Sequence, residues 1–202
     1  YGINREEQVA IMFHCGSRGF GHQIATDYLQ TFLRVMSSKY GIHLPDRELA
    51  CAPFNSPEGQ DYFAAMKCAI NMSFANRQMI LYHIRQAFSE VIGKSASEMQ
   101  INQIYDVAHN TAKLETHIVD GFPRKLIMHR KGSTRAFGPQ MEGLPEEFKP
   151  YGQPVIIGGS MESGSYLLTG VKSGSASFYS TTHGSGRVMS RRAARRLFRG
   201  KE

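Results

Sequence analysis

Residues 61–92, DYFAAMKCAINMSFANRQMILYHIRQAFSEVI, decide the fold class. Phe63, Met66, Ile70, Phe74, Leu81, Ile84, Phe88 and Val91 recur at spacings of three, four and seven, the repeat that lines up one face of an α-helix. The spacing predicts the main core helix from Asp61 to about Ile92, with room for one break. Asn76, Arg77, Gln78 and His83 fall among its polar positions, where a histidine is ordinarily a satisfied surface or core group.

Upstream of that helix, Val9-Ala10-Ile11-Met12-Phe13 is a short apolar run that stops at His14, which predicts a buried strand feeding a functional loop. Gly16, Gly19 and Gly21 allow a tight backbone. From His22 to about Ser38, Ile24, Tyr28, Phe32 and Val35 keep helical spacing. Residues 39–60 contain Pro45, Pro53, Asn55, Pro57 and Gly59 and read as a long ordered loop. Downstream, a serine-rich break at 93–97 precedes short strand-like runs at Ile104–Val107, Thr116–Val119, Lys125–Met128, Pro154–Ile157 and Tyr166–Thr169. A last helix starts at about Ser190. Helices early and strands late, without a βαβ rhythm, predict an α+β fold with a long core helix, mixed or antiparallel sheets, and motifs at strand ends.

The bulk properties narrow the function classes. At 202 residues the chain is long enough for one sizeable core or two small ones, and a single domain is the default. Lys and Arg outnumber Asp and Glu by 24 to 17, for a net charge of +7, which favours a polyanionic partner. Much of the excess is local: Arg187, Arg191, Arg192, Arg195, Arg196, Arg199 and Lys201 crowd the C-terminal end. Such a cluster suits a nucleic-acid backbone, and it also suits a solvated helix end. Cys15, Cys51 and Cys68 are odd in number and irregularly spaced, against a disulfide framework or a cysteine-only zinc site. No apolar run approaches the ~20 residues of a membrane helix. The expectation is a soluble cytoplasmic protein that makes no use of a membrane. Tyr1 is not an initiator Met, so the chain reads as part of a longer protein.

Five segments carry chemistry. Tyr179-Ser180-Thr181-Thr182-His183-Gly184-Ser185-Gly186-Arg187 sets a histidine against a small-residue turn and an arginine. A free imidazole has a pKa near ~6.5 and is largely neutral and nucleophilic at neutral pH, while glycines let backbone N–H groups approach phosphate oxygens. Phosphoryl or nucleotidyl transfer fits, and so does a surface loop capping a solvated helix. His14-Cys15-Gly16-Ser17-Arg18 places a ligand-type imidazole near an arginine that could fork onto phosphate. Tyr105-Asp106-Val107-Ala108-His109-Asn110 ends on a second such imidazole. His14 and His109 lie ninety-five positions apart, so spacing alone does not say whether they meet. His129-Arg130-Lys131-Gly132-Ser133-Thr134-Arg135 holds three cations that suit phosphate or an ordinary charged hairpin. Gly158-Gly159-Ser160-Met161-Glu162-Ser163-Gly164-Ser165 offers backbone N–H groups and the hydroxyls of Ser160 and Ser165 to a nucleotide; it is not a Walker motif.

In order, HCGSRGFGHQ, FANRQ, YDVAHN, HRKGSTRAFGP, GGSMESGSYLLTG and HGSGRVMSR resemble the RtcB RNA-splicing ligases over essentially the whole chain. The resemblance implies an RtcB-like catalytic domain, of which residues 1–202 are a part. It implies an enzyme that joins RNA 2′,3′-cyclic phosphate or 3′-phosphate ends to 5′-hydroxyl ends, using GTP and Mn²⁺. His183 matches the histidine that carries GMP covalently. His14 and His109 match two manganese ligands. His109, Asn110, Gly158, Gly159, Ser160, Met161, Ser165, His183, Gly184, Ser185 and Gly186 match guanylate-contacting positions. Arg18, Arg187 and Arg191 match cations near RNA or phosphate. The partners implied are RNA, as tRNA halves or broken ends, and an archease-type activator.

The chain also departs from the family. The remaining metal ligands and a lysine near the base belong to family segments on either side of this chain, so the expectation is that these 202 residues alone do not ligate RNA. Cys15 belongs to a different motif from the family's metal-bridging cysteine. Gly158 stands where proline is common, and Glu162 where a small residue is usual. Two alternatives stay open: a degenerate paralogue that holds RNA ends without joining them, and a phosphoester metallohydrolase that needs neither GTP nor His183.

Overall fold

The computed structural model describes residues 1–160, 163–186, 189 and 191–197. It divides into two units, Tyr1–Ala112 and Lys113–Glu202. Helices α1 (Arg18–Ser38) and α2 (Pro57–Ile92) form the first. Strands β1 (Asn110–Val119), β2 (Phe122–Lys131), β3 (Ser133–Arg135), β4 (Pro154–Ile157), β5 (Tyr166–Thr169) and β6 (Ser180–Thr182), then helix α3 (Arg191–Leu197), follow. The α+β expectation holds.

Helix α2 runs unbroken for 36 residues and starts four residues earlier than the apolar repeat indicated. Local chemistry explains the difference. Ser56 caps it, its Oγ accepting from the Gly59 amide at 3.1 Å, and Pro57 sits in the first turn, where a missing N–H costs nothing. Gly93 ends the helix in the left-handed conformation, φ +74°. Against α2 packs α1, with Phe32, Met36 and Leu81 buried. The rings of Tyr28 and Phe32 meet Tyr62 at centroid distances of 5.2 and 5.4 Å, in the range where aromatic pairs add to plain burial.

Two strand expectations fail. Residues 8–17 and 101–109 are neither helix nor strand, and Val9, Ile11 and Met12 are exposed. A short apolar run becomes a strand only when a neighbour accepts its backbone hydrogen bonds. Among the described residues no strand pairs with either segment. His14 therefore precedes α1 instead of ending a strand, and His109 precedes β1.

The second unit is built from two-stranded sheets. β1 and β2 pair across the two residues Asp120 and Gly121, both at positive φ, +52° and +81°. That is the tight hairpin turn an Asp-Gly pair favours. The antiparallel pair β4–β5 sets Val155 against Leu168, and β3–β6 sets Thr134 against Thr181. Val155, Phe137 and Leu144 are buried there, beside the buried polar groups His117, Arg130 and Gln153. Among the described residues no helix is long and apolar enough to cross a membrane.

Candidate functional site

In the first unit, the two histidines that sequence spacing could not connect come together. His14 Nε2 and His109 Nε2 lie 2.8 Å apart, with the ring planes 76° from parallel. Two imidazole nitrogens aimed at one point form a donor set that suits a divalent transition metal. Nothing in that pair by itself selects manganese.

The residues that bring these loops together lie on α2. Arg77 is buried in mid-helix. Its Nη1 donates to the carbonyl oxygen of Cys15 at 3.1 Å, and its Nε pairs with Asp106 Oδ1 at 2.5 Å. Asn76 Nδ2 donates to the Gly16 carbonyl at 2.8 Å and to Cys15 Sγ at 3.2 Å. Sequence reading passed over both as polar positions on a core helix, although a cation between two apolar turns is itself a signal. Arg18 is exposed at the start of α1 with φ +54°, a conformation that costs a non-glycine residue energy. Asn110 is exposed at the first position of β1.

In the second unit, β6 ends at Thr182 and delivers His183 into the glycine turn. His183 Nδ1 lies 2.7 Å from the carbonyl oxygen of Gly132. A carbonyl only accepts, so we assign the proton to Nδ1, which places the ring lone pair on Nε2. The turn is stitched to the loop after β4: Gly158 N–H donates to the His183 carbonyl at 3.0 Å, and Ser185 N–H to the Gly158 carbonyl at 2.9 Å. Proline at 158 could not make the first of these bonds, so glycine here ties the two segments together. The structure thus joins Gly158 with His183, Gly184 and Ser185. It also engages the neighbouring amides, Gly159 on Ser165 Oγ at 3.1 Å and Ser160 on Ser163 Oγ at 2.8 Å. Gly159 is obligatory, because a Cβ would lie 1.3 Å from the Gly164 carbonyl oxygen. Gly186 has φ +75°.

Behind β6 stands a buried network that sequence reading missed. Arg130 grips Glu115 with both terminal nitrogens, at 2.7 and 2.9 Å. Its Nε donates to Ser180 Oγ at 3.0 Å and its Nη2 to the Phe178 carbonyl at 3.2 Å. His117 Nε2 donates to Glu115 Oε2 at 2.9 Å. Burial alone would push the Glu115 carboxyl up, but the Arg130 and His117 hydrogen bonds outweigh it and hold the group below its ordinary value. Arg135 is likewise turned inward, onto Gln153 Oε1 at 3.0 Å. Two of the three cations in residues 129–135 are therefore structural. Met161 and Arg187 lie outside the described residues. Arg191 opens α3, and its side chain is outside them too.

Residues 1–202 match the family described as tRNA-splicing ligase RtcB, and the chain belongs to that family. A tRNA-splicing ligase RtcB of Archaeoglobus fulgidus is 54% identical over 201 residues, 99% of this chain and 41% of the relative. One from Methanocaldococcus jannaschii is 53% identical over 203 residues, 100% of this chain and 21% of the relative. One from Thermococcus kodakarensis is 50% identical over 201 residues, 99% and 41%. The chain thus spans about two fifths or less of these relatives.

Proposed function

We propose that this chain is part of an RNA ligase that joins 2′,3′-cyclic phosphate or 3′-phosphate RNA ends to 5′-hydroxyl ends through GMP carried on His183. The observation that carries the reading is the 2.7 Å bond from His183 Nδ1 to the Gly132 carbonyl. With the proton on Nδ1, the Nε2 lone pair attacks the α-phosphorus of GTP, an N–P bond forms, and pyrophosphate leaves with the broken bond's electrons. The Gly132 carbonyl steadies the positive charge that the ring gains. A cyclic end is first opened by water to a 3′-phosphate; a 3′-phosphate oxygen then displaces His183 from the guanylate, and the 5′-hydroxyl oxygen attacks the RNA 3′-phosphorus, releasing its proton to solvent as GMP leaves.

His14 and His109 would hold Mn²⁺, whose contribution when bound is to offset phosphate charge. The guanylate contacts are assigned to His109, Asn110, Gly158–Met161, Ser165 and His183–Gly186, and RNA or phosphate contacts to Arg18, Arg187 and Arg191. Support comes from family membership and from relatives named tRNA-splicing ligase RtcB. The same reading takes residues 1–202 as part of one catalytic domain, active in the cytoplasm on tRNA halves or broken RNA, with an archease-type activator as partner. The test is labelling of the full-length protein with GTP radioactive at the α-phosphate. Label is expected on wild type and absent from His183→Ala; label that persists in the variant would overturn the reading.

A second reading, an RNA-end binder without ligase activity, draws on the amides of Gly158, Gly159 and Ser160, which are engaged by the protein's own acceptors. It predicts salt-sensitive RNA binding, no covalent label, and no effect of His183→Ala.

A further inference from the structure

Two loops that carry single histidines do not hold a fixed 2.8 Å approach unaided, because irregular backbone keeps conformational freedom that ordering must overcome. The segments 8–17 and 101–109 are irregular. Both are anchored on one rigid element, at one side chain. Arg77 reaches the carbonyl of Cys15, the residue after His14, and the carboxylate of Asp106, three residues before His109. The guanidinium lies over the Phe74 ring at 4.5 Å, and the residue is 7% exposed. Its neighbours extend the hold: Asn76 onto Gly16 and Cys15, and Gln78 Nε2 onto Gln103 Oε1 at 2.9 Å.

We propose that Arg77 is the positioning residue of the divalent-metal site, its planar fork clamping the His14 and His109 loops at the separation that lets both imidazoles serve one ion. The inference rests on reading those histidines as metal ligands. A guanidinium presents donors along two edges in one plane, so it can hold a carbonyl and a carboxylate at once. A lysine, a point charge on a flexible stem, holds one of them. Arg77 Nη2 and Asp106 Oδ2 are buried without further hydrogen-bond partners among the described residues, so each group depends on the other for the compensation of its charge.

The experiment measures Mn²⁺ affinity of the full-length protein from the paramagnetic resonance of the unbound ion, together with thermal unfolding in metal-free buffer. Arg77→Lys is expected to unfold cooperatively and to bind Mn²⁺ about 10–100-fold more weakly, the usual effect of losing a group that orients metal ligands. Asp106→Asn, which keeps shape and removes charge, is expected to move affinity the same way; if Arg77→Lys does not fold, Asp106→Asn decides. A merely structural Arg77 would lower the unfolding temperature and leave the affinity of the folded protein unchanged, and that result overturns the proposal. His14→Ala and His109→Ala separate the two levels. If they lose Mn²⁺ while the folded Arg77 and Asp106 variants keep wild-type affinity, the clamp alone is wrong. If the histidine variants bind as wild type does, the ligand reading is wrong and the clamp falls with it.

Discussion

Gly132 supplies the carbonyl that sets the His183 tautomer, and its own backbone is left-handed, φ +66°. A Cβ there would lie 3.5 Å from His183 Cε1, an ordinary contact, so the cost of an alanine is conformational and not steric. That cost is about 1–2 kcal/mol for an L-residue in this region. Relief would rotate the peptide whose carbonyl accepts from Nδ1. Gly132→Ala should therefore slow covalent labelling from GTP about tenfold or more while the protein still unfolds cooperatively. Unchanged labelling would mean that the carbonyl has no part in aiming Nε2. At Glu115 the residue-scale argument concerns pH. Its folded pKa is depressed below the ordinary 4.5, so its contribution is fully present above about 4.5 and is lost as pH falls through the lower folded value. Glu115→Gln should flatten that acid limb in urea titrations taken at successive pH values. Arg130→Met leaves a buried carboxylate without its partner and should cost about 3–5 kcal/mol near neutral pH; a cost near zero would show the network to be dispensable.

At the scale of elements, the boundaries of α2 follow from its caps. Ser56→Ala removes the acceptor for the Gly59 amide and should lower stability by about 1 kcal/mol, read as a shift in the denaturant midpoint at constant slope. Glu58, in the first turn of α2, is held down to about 2 by hydrogen bonds from Lys39 and Tyr40. Its contribution is present above about 4.5 and disappears towards pH 2, and the exposure of its partner Lys39 keeps the effect small. The sequence made α2 and the strands β4 and β5 legible, and four residues each of β1 and β2, because apolar periodicity and the Gly, Pro and Ser clusters between runs are local signals; which strand pairs with which was not legible. Residues 9–13 and 104–107 were misread as strands, because an apolar run does not record whether a ladder partner exists. The same limit hid the site's geometry. His14 and His109 were visible as ligand-type residues, but their meeting depends on Arg77, whose partners Cys15 and Asp106 lie 62 and 29 positions away. His183 was visible in its turn, whereas its acceptor is a backbone carbonyl at Gly132, and backbone carbonyls have no sequence signature.

At the scale of the whole molecule, a charge of +7 concentrated towards the C-terminal end makes a prediction independent of the fold. Binding to single-stranded RNA releases condensed counterions, and the slope of log affinity against log salt is about −0.7 per phosphate neutralised. If Arg191, Arg192, Arg195 and Arg196 follow an RNA backbone, replacing all four by glutamine in the full-length protein should make the slope shallower by about 0.7 for each phosphate that is no longer neutralised. Affinity should fall mainly at low salt, as followed by fluorescence anisotropy of an RNA bearing a 3′-phosphate across a KCl series. The substitution leaves His183 and the His14–His109 pair untouched, so GTP labelling should persist in the absence of RNA. That separation distinguishes a cation track for substrate from a helix end that is merely solvated. An unchanged slope with unchanged affinity assigns the arginines to solvent, whereas an unchanged slope with abolished labelling places them at the nucleotide and not along the RNA.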